Sequence, residues 1–203
     1  MAQSKERDKS KKRDAILSGA EDVFIEMGFE TASMDKVADK AGVSKRTVYN
    51  HFGSKENLFE VIVDNLLAER QNLTTIKYDS EKPLDEQLRL FAESEIFLID
   101  SPRRLELSRF LTVTFLKDLD FQRRTVSKYP SAHNMFFEWL QEAHADGKIV
   151  SDNLSLTARV FYSMVVGAIT WPALFSDGIK KETFQPMLDE IISVFLSKYE
   201  NVK

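Results

Sequence analysis

With 203 residues, 43% hydrophobic and 30% charged, the chain is long enough to bury a sizeable core and too apolar to be disordered. It has no cysteine, which excludes disulfides, thiolate metal sites and a thiol nucleophile. Its seven glycines and five prolines are too few for the many turns of an all-β protein. The net charge of −4 hides an asymmetry: residues 1–55 hold 11 Lys/Arg and 9 Asp/Glu (+2), and the remainder holds 17 and 23 (−6), a basic head on an acidic body.

The N-terminal "MAQSKERDKSKKRD" has positive charge but no apolar core behind it, so it is not a secretion signal; residues 1–12 read as a flexible basic arm. No apolar run is expected to approach the length that spans a bilayer, and a cytoplasmic protein without a membrane partner is expected. From Arg13 to Met27 the apolar positions Ile16, Ala20, Val23, Phe24 and Met27 recur at helical spacing, and Gly28 supplies a stop. "TASMDKVADKAG" predicts a short helix with Met34, Val37, Ala38 and Ala41 on one face, capped by Thr31 or Ser33 and ended by Gly42. Ser44 caps a second short helix carrying Val48 and Phe52 inward, closed by Gly53. "SKENLFEVIVDNLLAERQNL" then runs about five turns on a ridge of Leu58, Phe59, Ile62, Val63, Leu66 and Leu67. Beyond the linker "KYDSEKP", helices are predicted over 83–99, 102–118, 119–129, 131–146, 153–175 and 183–199. The breaks fall at 100–102, 129–131, 145–148 and 176–178. The fold class is all-α, with a three-helix N-terminal domain over 13–54 and a larger helical C-terminal domain over 55–203.

Two short helices joined by "AGVS" fit a helix-turn-helix. Ala38 is the small residue where the second helix crosses the first, and Gly42 tolerates the positive φ of the turn. With Val48 and Phe52 inward, Lys45, Arg46, Tyr49 and Asn50 point largely outward, as donors on a recognition helix do. A solvated basic face on an ordinary helical hairpin has the same pattern.

The full string "MGFETASMDKVADKAGVSKRTVYNHFGSKENLF" separates these readings, because it resembles the N-terminal domain of the TetR family of bacterial transcriptional regulators. The likeness covers about residues 11–60, with Gly-Val-Ser, Tyr-x-His-Phe and Ser-Lys-Glu all present. It implies that Lys45, Arg46 and Thr47 face bases or phosphates, and that Tyr49, His51 and Lys55 reach the phosphate backbone; the outward Asn50 and the capping Ser44 are candidates for the same DNA-binding surface. Tyr49 and His51 also read as packing residues. Two departures stand out. Ala32-Ser33 replaces the usual hydroxyl pair opening the second helix, leaving Ser33 or Thr31 alone to hold a phosphate. Arg46 stands where glycine is frequent, and an arginine bidentate to guanine adds about 1–3 kcal/mol of base discrimination.

The body resembles, more loosely, the C-terminal domain of the AefR-like branch of the same family over "FQRRTVSKYPSAHNMFFEWLQEAHADGKIVSDNLSLTARVFYSMVVGAI". The family likeness implies an effector-binding and dimerisation domain. In the predicted helix 83–99 the spacing Leu84, Leu88, Phe91, Glu95, Leu98, Ile99 puts Glu95 on the buried face, where a carboxylate must be paired, neutralised or facing a cavity. It reads either as a salt bridge to Arg104 or Arg109 or as the counter-charge for a cationic, greasy effector. Phe91, Phe110, Phe115, Phe136, Trp139 and Phe161 are candidates to line that pocket, although pockets and cores use the same residue types. His133 and His144 lie three helical turns apart, roughly 16 Å, too far to share a metal. Neither a metal nor a cofactor is expected. The wide apolar faces of the last two helices, through Phe161, Val165, Ile169, Leu188, Ile191, Ile192 and Phe195, suggest a two-fold four-helix dimer interface. Pro172 is expected to kink or end its helix.

No Ser/His/Asp or paired-carboxylate constellation appears at convincing spacing, so the chain is not expected to be an enzyme. The expected partners are a near-palindromic double-stranded DNA operator, a second copy of the chain, and a small hydrophobic or cationic effector that releases a repressor from its operator. The alternative is a DNA-bound adaptor whose body recruits another protein.

Overall fold

The computed structural model describes residues 2–73, 76–128 and 132–201. Eleven α-helices run along these residues: α1 (Ala2–Thr31), α2 (Met34–Ala41), α3 (Lys45–Phe52), α4 (Lys55–Leu73), α5 (Leu84–Ile96), α6 (Pro102–Lys117), α7 (Leu119–Val126), α8 (Ala132–Ala145), α9 (Leu154–Val165), α10 (Trp171–Leu174) and α11 (Lys181–Tyr199). Among the described residues the only β pairing is an isolated bridge between Ile149 and Glu200. The expected helices are therefore present; the expected break at 129–131 lies outside the described residues.

Helix α1 begins at Ala2, so the residues expected to form a flexible arm are its first turns. A run of good helix formers accounts for this, helped by Asp8 and Lys12, four apart and 2.7 Å from each other. That ammonium group, donating a hydrogen bond, holds the Asp8 carboxyl below the usual range. Gly28, at φ 75°, interrupts the helix and turns the chain toward α2.

The chain divides into two compact units. The head comprises the residues up to Leu67 together with Arg109–Thr125; the body comprises Ala68–Ser108 and the residues from Val126 onward. Aromatic packing explains the head's extra segments. Phe59 of α4 sits 5.0 Å from Phe29, 5.6 Å from Phe24, 5.6 Å from Phe110 and 5.2 Å from Phe121 by ring centroids. Such pairs contribute about 0.5–1.5 kcal/mol each beyond their buried area, so the ends of α6 and α7 are bound to α1 and α4.

In the body, α5, α8, α9 and α11 enclose one apolar core. Phe91, Phe136, Trp139, Phe161 and Phe195 are all under 2% exposed, and Phe136 lies 4.9 Å from Phe91 and 4.6 Å from Phe161. The linker before α5 is tied down rather than loose: the Gln87 amide donates to the Asp79 and Lys82 carbonyls at 2.9 Å and accepts from the Trp139 indole at 3.0 Å. Between α9 and α10 the chain widens into a π-helical turn, Val166–Thr170, where the Trp171 N–H bonds back to the Val166 carbonyl. That turn precedes Pro172, which lacks an N–H, and lets the helix continue through it. Contrary to the sequence expectation, Leu154–Leu174 is a continuous helical stretch long and apolar enough to cross a membrane, with mean hydropathy 1.3. Phe161, Val165 and Ile169 along it are packed into the body's own core.

Candidate nucleic-acid interface

Three contacts set the geometry of the helix-turn-helix. Gly42, at φ 65° and ψ 31°, ends α2 in the left-handed conformation and donates its N–H to the Ala38 and Asp39 carbonyls. Ser33 caps α2, its hydroxyl accepting from the Lys36 N–H at 3.4 Å, and Ser44 caps α3, accepting from the Thr47 N–H at 3.2 Å. Val48 and Phe52 are buried, as are Met34, Val37 and Ala38 opposite them. A close approach not read from the sequence lies behind this: a Cβ added at Gly19 of α1 would stand 3.1 Å from the Ala41 amide nitrogen and 3.2 Å from its Cβ. Gly19 thus lets α1 and α2 touch backbone to backbone. Its sequence signal was a lone glycine inside an otherwise regular helical pattern.

With the inner face committed, α3 presents Lys45, Arg46, Tyr49 and Asn50 to solvent, while Thr47 and His51 are half-buried. The Lys45 ammonium pairs with Asp35 at 2.7 Å and lies 5.9 Å from the Tyr49 ring centre. The Asp35 carboxylate raises the Lys45 pKa, chiefly through its hydrogen bond. Both partners are well exposed, so the pair is weak. The Thr47 hydroxyl shares a 2.8 Å hydrogen bond with the Ser44 hydroxyl. The His51 ring packs 6.0 Å from Phe52. Tyr49, 43% exposed, is available to a ligand.

Lys55 turns its ammonium toward the end of α1. Its ammonium donates to the Phe29 carbonyl at 2.8 Å, the Ala32 carbonyl at 3.3 Å and the Glu30 carbonyl at 3.4 Å, and sits 4.4 Å from the centre of the Phe29 ring. All three donors are engaged, so in this arrangement Lys55 clasps the end of α1.

The expected effector residues are distributed over both units. Phe110 and Phe115 belong to the head, and Phe91, Glu95, Phe136, Trp139 and Phe161 to the body. Phe91, Phe136, Trp139 and Phe161 are core residues, each 1% exposed or less. Glu95 is buried on α5 as its spacing required, but its partner is Arg70 of α4 rather than Arg104 or Arg109. Burial holds the Glu95 carboxyl above the usual carboxylate range, and the Arg70 guanidinium beside it acts the other way. Arg104 instead binds Glu69 at 3.0 Å and Asp100 at 2.7 Å while stacking 3.9 Å over the Phe97 ring.

The expected dimer residues Phe161, Val165, Ile169, Leu188, Ile191, Ile192 and Phe195 are all 6% exposed or less, within the body itself. They pack within the apolar core that α5, α8, α9 and α11 enclose. Solvent-facing apolar side chains of the body are Trp171 on α10, Phe175 just after it, and Met187 and Val194 on α11, with Phe175 81% exposed. His144 bonds through Nδ1 to the Ile149 carbonyl at 2.9 Å, and the His133 side chain lies outside the described residues. Among the described residues no group of three or more His, Cys, Asp or Glu is placed to hold a metal.

Residues 16–62 match the family described as bacterial regulatory proteins of the tetR family, and residues 86–201 match the C-terminal domain of AefR-like transcriptional repressors. The transcriptional activator FasR of Mycolicibacterium smegmatis is 42% identical over 72 residues, 33% of each chain. The transcriptional regulator SrpR of Pseudomonas putida is 22% identical over 98% of this chain and 88% of its own. The crystal structure of a TetR-family regulator from Pseudomonas syringae pv. tomato superposes with a TM-score of 0.74 at 25% identity, covering 93% of this chain and 96% of that one. The two matched domains, in this order along an all-helical chain, make the protein a member of the TetR family of DNA-binding transcriptional regulators, with an AefR-like C-terminal domain.

Proposed function

We propose that the chain is a homodimeric repressor, working in the cytoplasm, that leaves its operator when a small hydrophobic or cationic effector binds. The observation that carries the DNA half is α3: four outward side chains, Lys45, Arg46, Tyr49 and Asn50, on a rigid, doubly capped helix. Two such helices held by a two-fold axis enter successive major grooves of a near-palindromic site, with half-sites roughly one helical turn, about 34–36 Å, apart. Arg46 and Asn50 read base edges, Lys45 and Tyr49 hold phosphate, and Ser33 and Ser44 sit at helix N-termini that favour an anion. Thr47 and His51 support the surface from half-buried positions.

The dimer reading is supported by the stacked, exposed pair Trp171 and Phe175, whose ring centres are 5.7 Å apart. Together with Met187 and Val194 they form apolar surface that a second copy would remove from water.

The test is selection of bound duplexes from a random library by the wild type and by Lys45→Ala/Arg46→Ala. An inverted repeat enriched by the wild type and lost by the variant is the expected result. Salt-sensitive binding without an enriched sequence would refute sequence-specific recognition.

A further inference from the structure

The head contains a cavity of about 370 Å³ that the DNA-reading surface does not use. It opens among the end of α1, the first turns of α4, the end of α6 and α7. Its volume is within the range of small-molecule sites. Phe59 is its deepest aromatic, 2% exposed, and the half-buried rings of Phe29, Phe110 and Phe121 surround it.

The charge around this aromatic floor is one-sided. Four carboxylates, Glu30, Glu56, Glu60 and Asp118, line the cavity against two bases, Lys117 and Arg124. Asp118 is occupied in capping α7, accepting from the Phe121 N–H at 2.8 Å. Glu30 and Glu56 are exposed, and among the described residues neither is paired with a base. Aromatic faces attract a cation through their quadrupole, and carboxylates within a few ångströms add to that attraction. An anion of the same shape meets the opposite field.

The cavity wall is also part of the clasp on the helix-turn-helix. Phe29 lines the cavity, lies beneath the Lys55 ammonium and supplies its shortest carbonyl contact. Lys55 simultaneously holds the Ala32 carbonyl, one residue before Ser33 caps α2. Displacing Phe29 therefore moves the anchor from which α2 starts.

We propose that this aromatic cavity in the head binds a hydrophobic cation, and that its occupancy weakens DNA binding by shifting Phe29 and the Lys55 clasp. The second clause rests on reading the chain as an effector-released regulator; the first does not.

Tetraphenylphosphonium and tetraphenylborate, alike in shape and opposite in charge, make the test. Each is titrated calorimetrically into the full chain, into Glu30→Gln/Glu56→Gln, and into Val113→Trp. Val113 lines the cavity and is 52% exposed, so the larger side chain narrows the space without disturbing the core. The expected result is one phosphonium per chain, bound at least tenfold more tightly than the borate and weakened about tenfold or more in both variants. Equal binding of the two ions, unchanged phosphonium binding in both variants, or no binding to the wild type would overturn the site. Anisotropy on a labelled duplex, with and without phosphonium, reads the coupling. Unchanged DNA affinity with phosphonium bound would overturn the regulatory clause alone. A chain that bound phosphonium as expected but no DNA under any condition would refute the DNA-binding reading and leave the cavity assignment standing.

Discussion

Replacing Arg70 by Met should expose how the body tolerates a carboxylate in its interior. Glu95 is 7% exposed and its guanidinium partner lies on α4, within the same unit. Removing one member of a buried pair leaves the other charge uncompensated, which costs about 3–5 kcal/mol. The Arg70 side chain keeps 20% exposure, so the lower end is expected. The pH dependence has a definite sign. Burial raises the Glu95 pKa above its ordinary value, so between the unfolded and folded pKa the native state binds more protons. Stability from this group is therefore present at low pH and lost as pH rises through the folded pKa. Arg70 opposes that shift, and Arg70→Met should enlarge it: the deficit is greatest near neutral pH and shrinks under mild acid as Glu95 becomes neutral. Replacing both residues, Arg70→Met with Glu95→Leu, should recover most of the loss because apolar groups of similar size need no partner. Urea unfolding followed by far-ultraviolet circular dichroism, and by the fluorescence of the buried Trp139, measures each variant across pH. A double variant whose loss equals the sum of the two single losses, or an Arg70→Met deficit that grows in acid, would refute this account.

Lys55→Met should lower the melting temperature, since its ammonium holds three carbonyls and roughly 2 kcal/mol is at stake. Lys55→Met should also leave the salt dependence of DNA binding unchanged, whereas Lys45→Ala should reduce the slope of log K against log salt by about 0.9; equal slopes for the two variants, measured by anisotropy, would restore Lys55 as a phosphate contact. Trp171→Glu/Phe175→Glu should give a monomer by light scattering with the body's helicity retained, and a persistent dimer would place the interface elsewhere. Gly19→Ala should cost about 1–3 kcal/mol, because its methyl meets the Ala41 backbone at 3.1 Å, and an unchanged urea midpoint would contradict that close approach.

The residue pattern was enough for the parts of this protein governed by local chemistry. Apolar spacing of 3.6, serine caps at Ser33 and Ser44 and the glycine stop at Gly42 are short-range effects, so the helices and the outward face of α3 could be read in chain order. Periodicity also placed Glu95 inward, because which face of α5 is buried follows from the stripe alone. It could not name Arg70 as the partner, since a helical period says nothing about which distant helix arrives opposite. The same limit applied to Phe110 and Phe115, which the aromatic pattern grouped with Phe91 and Phe136 until the packing of Phe59 drew Phe110 and Phe121 into the head. From α9 through α11 the chain offers more apolar surface than one core takes; the tertiary structure buries Phe161, Val165 and Phe195 and leaves Trp171, Phe175 and Met187 outside. Lys55 meets the same limit: a lysine at a helix start can serve a phosphate or a neighbouring carbonyl, and only the tertiary structure brings the three carbonyls of Phe29, Glu30 and Ala32 within its reach. Secondary structure and charge were thus settled by neighbours along the chain, whereas burial, ion-pair partners and the cavity depended on contacts between residues far apart in sequence.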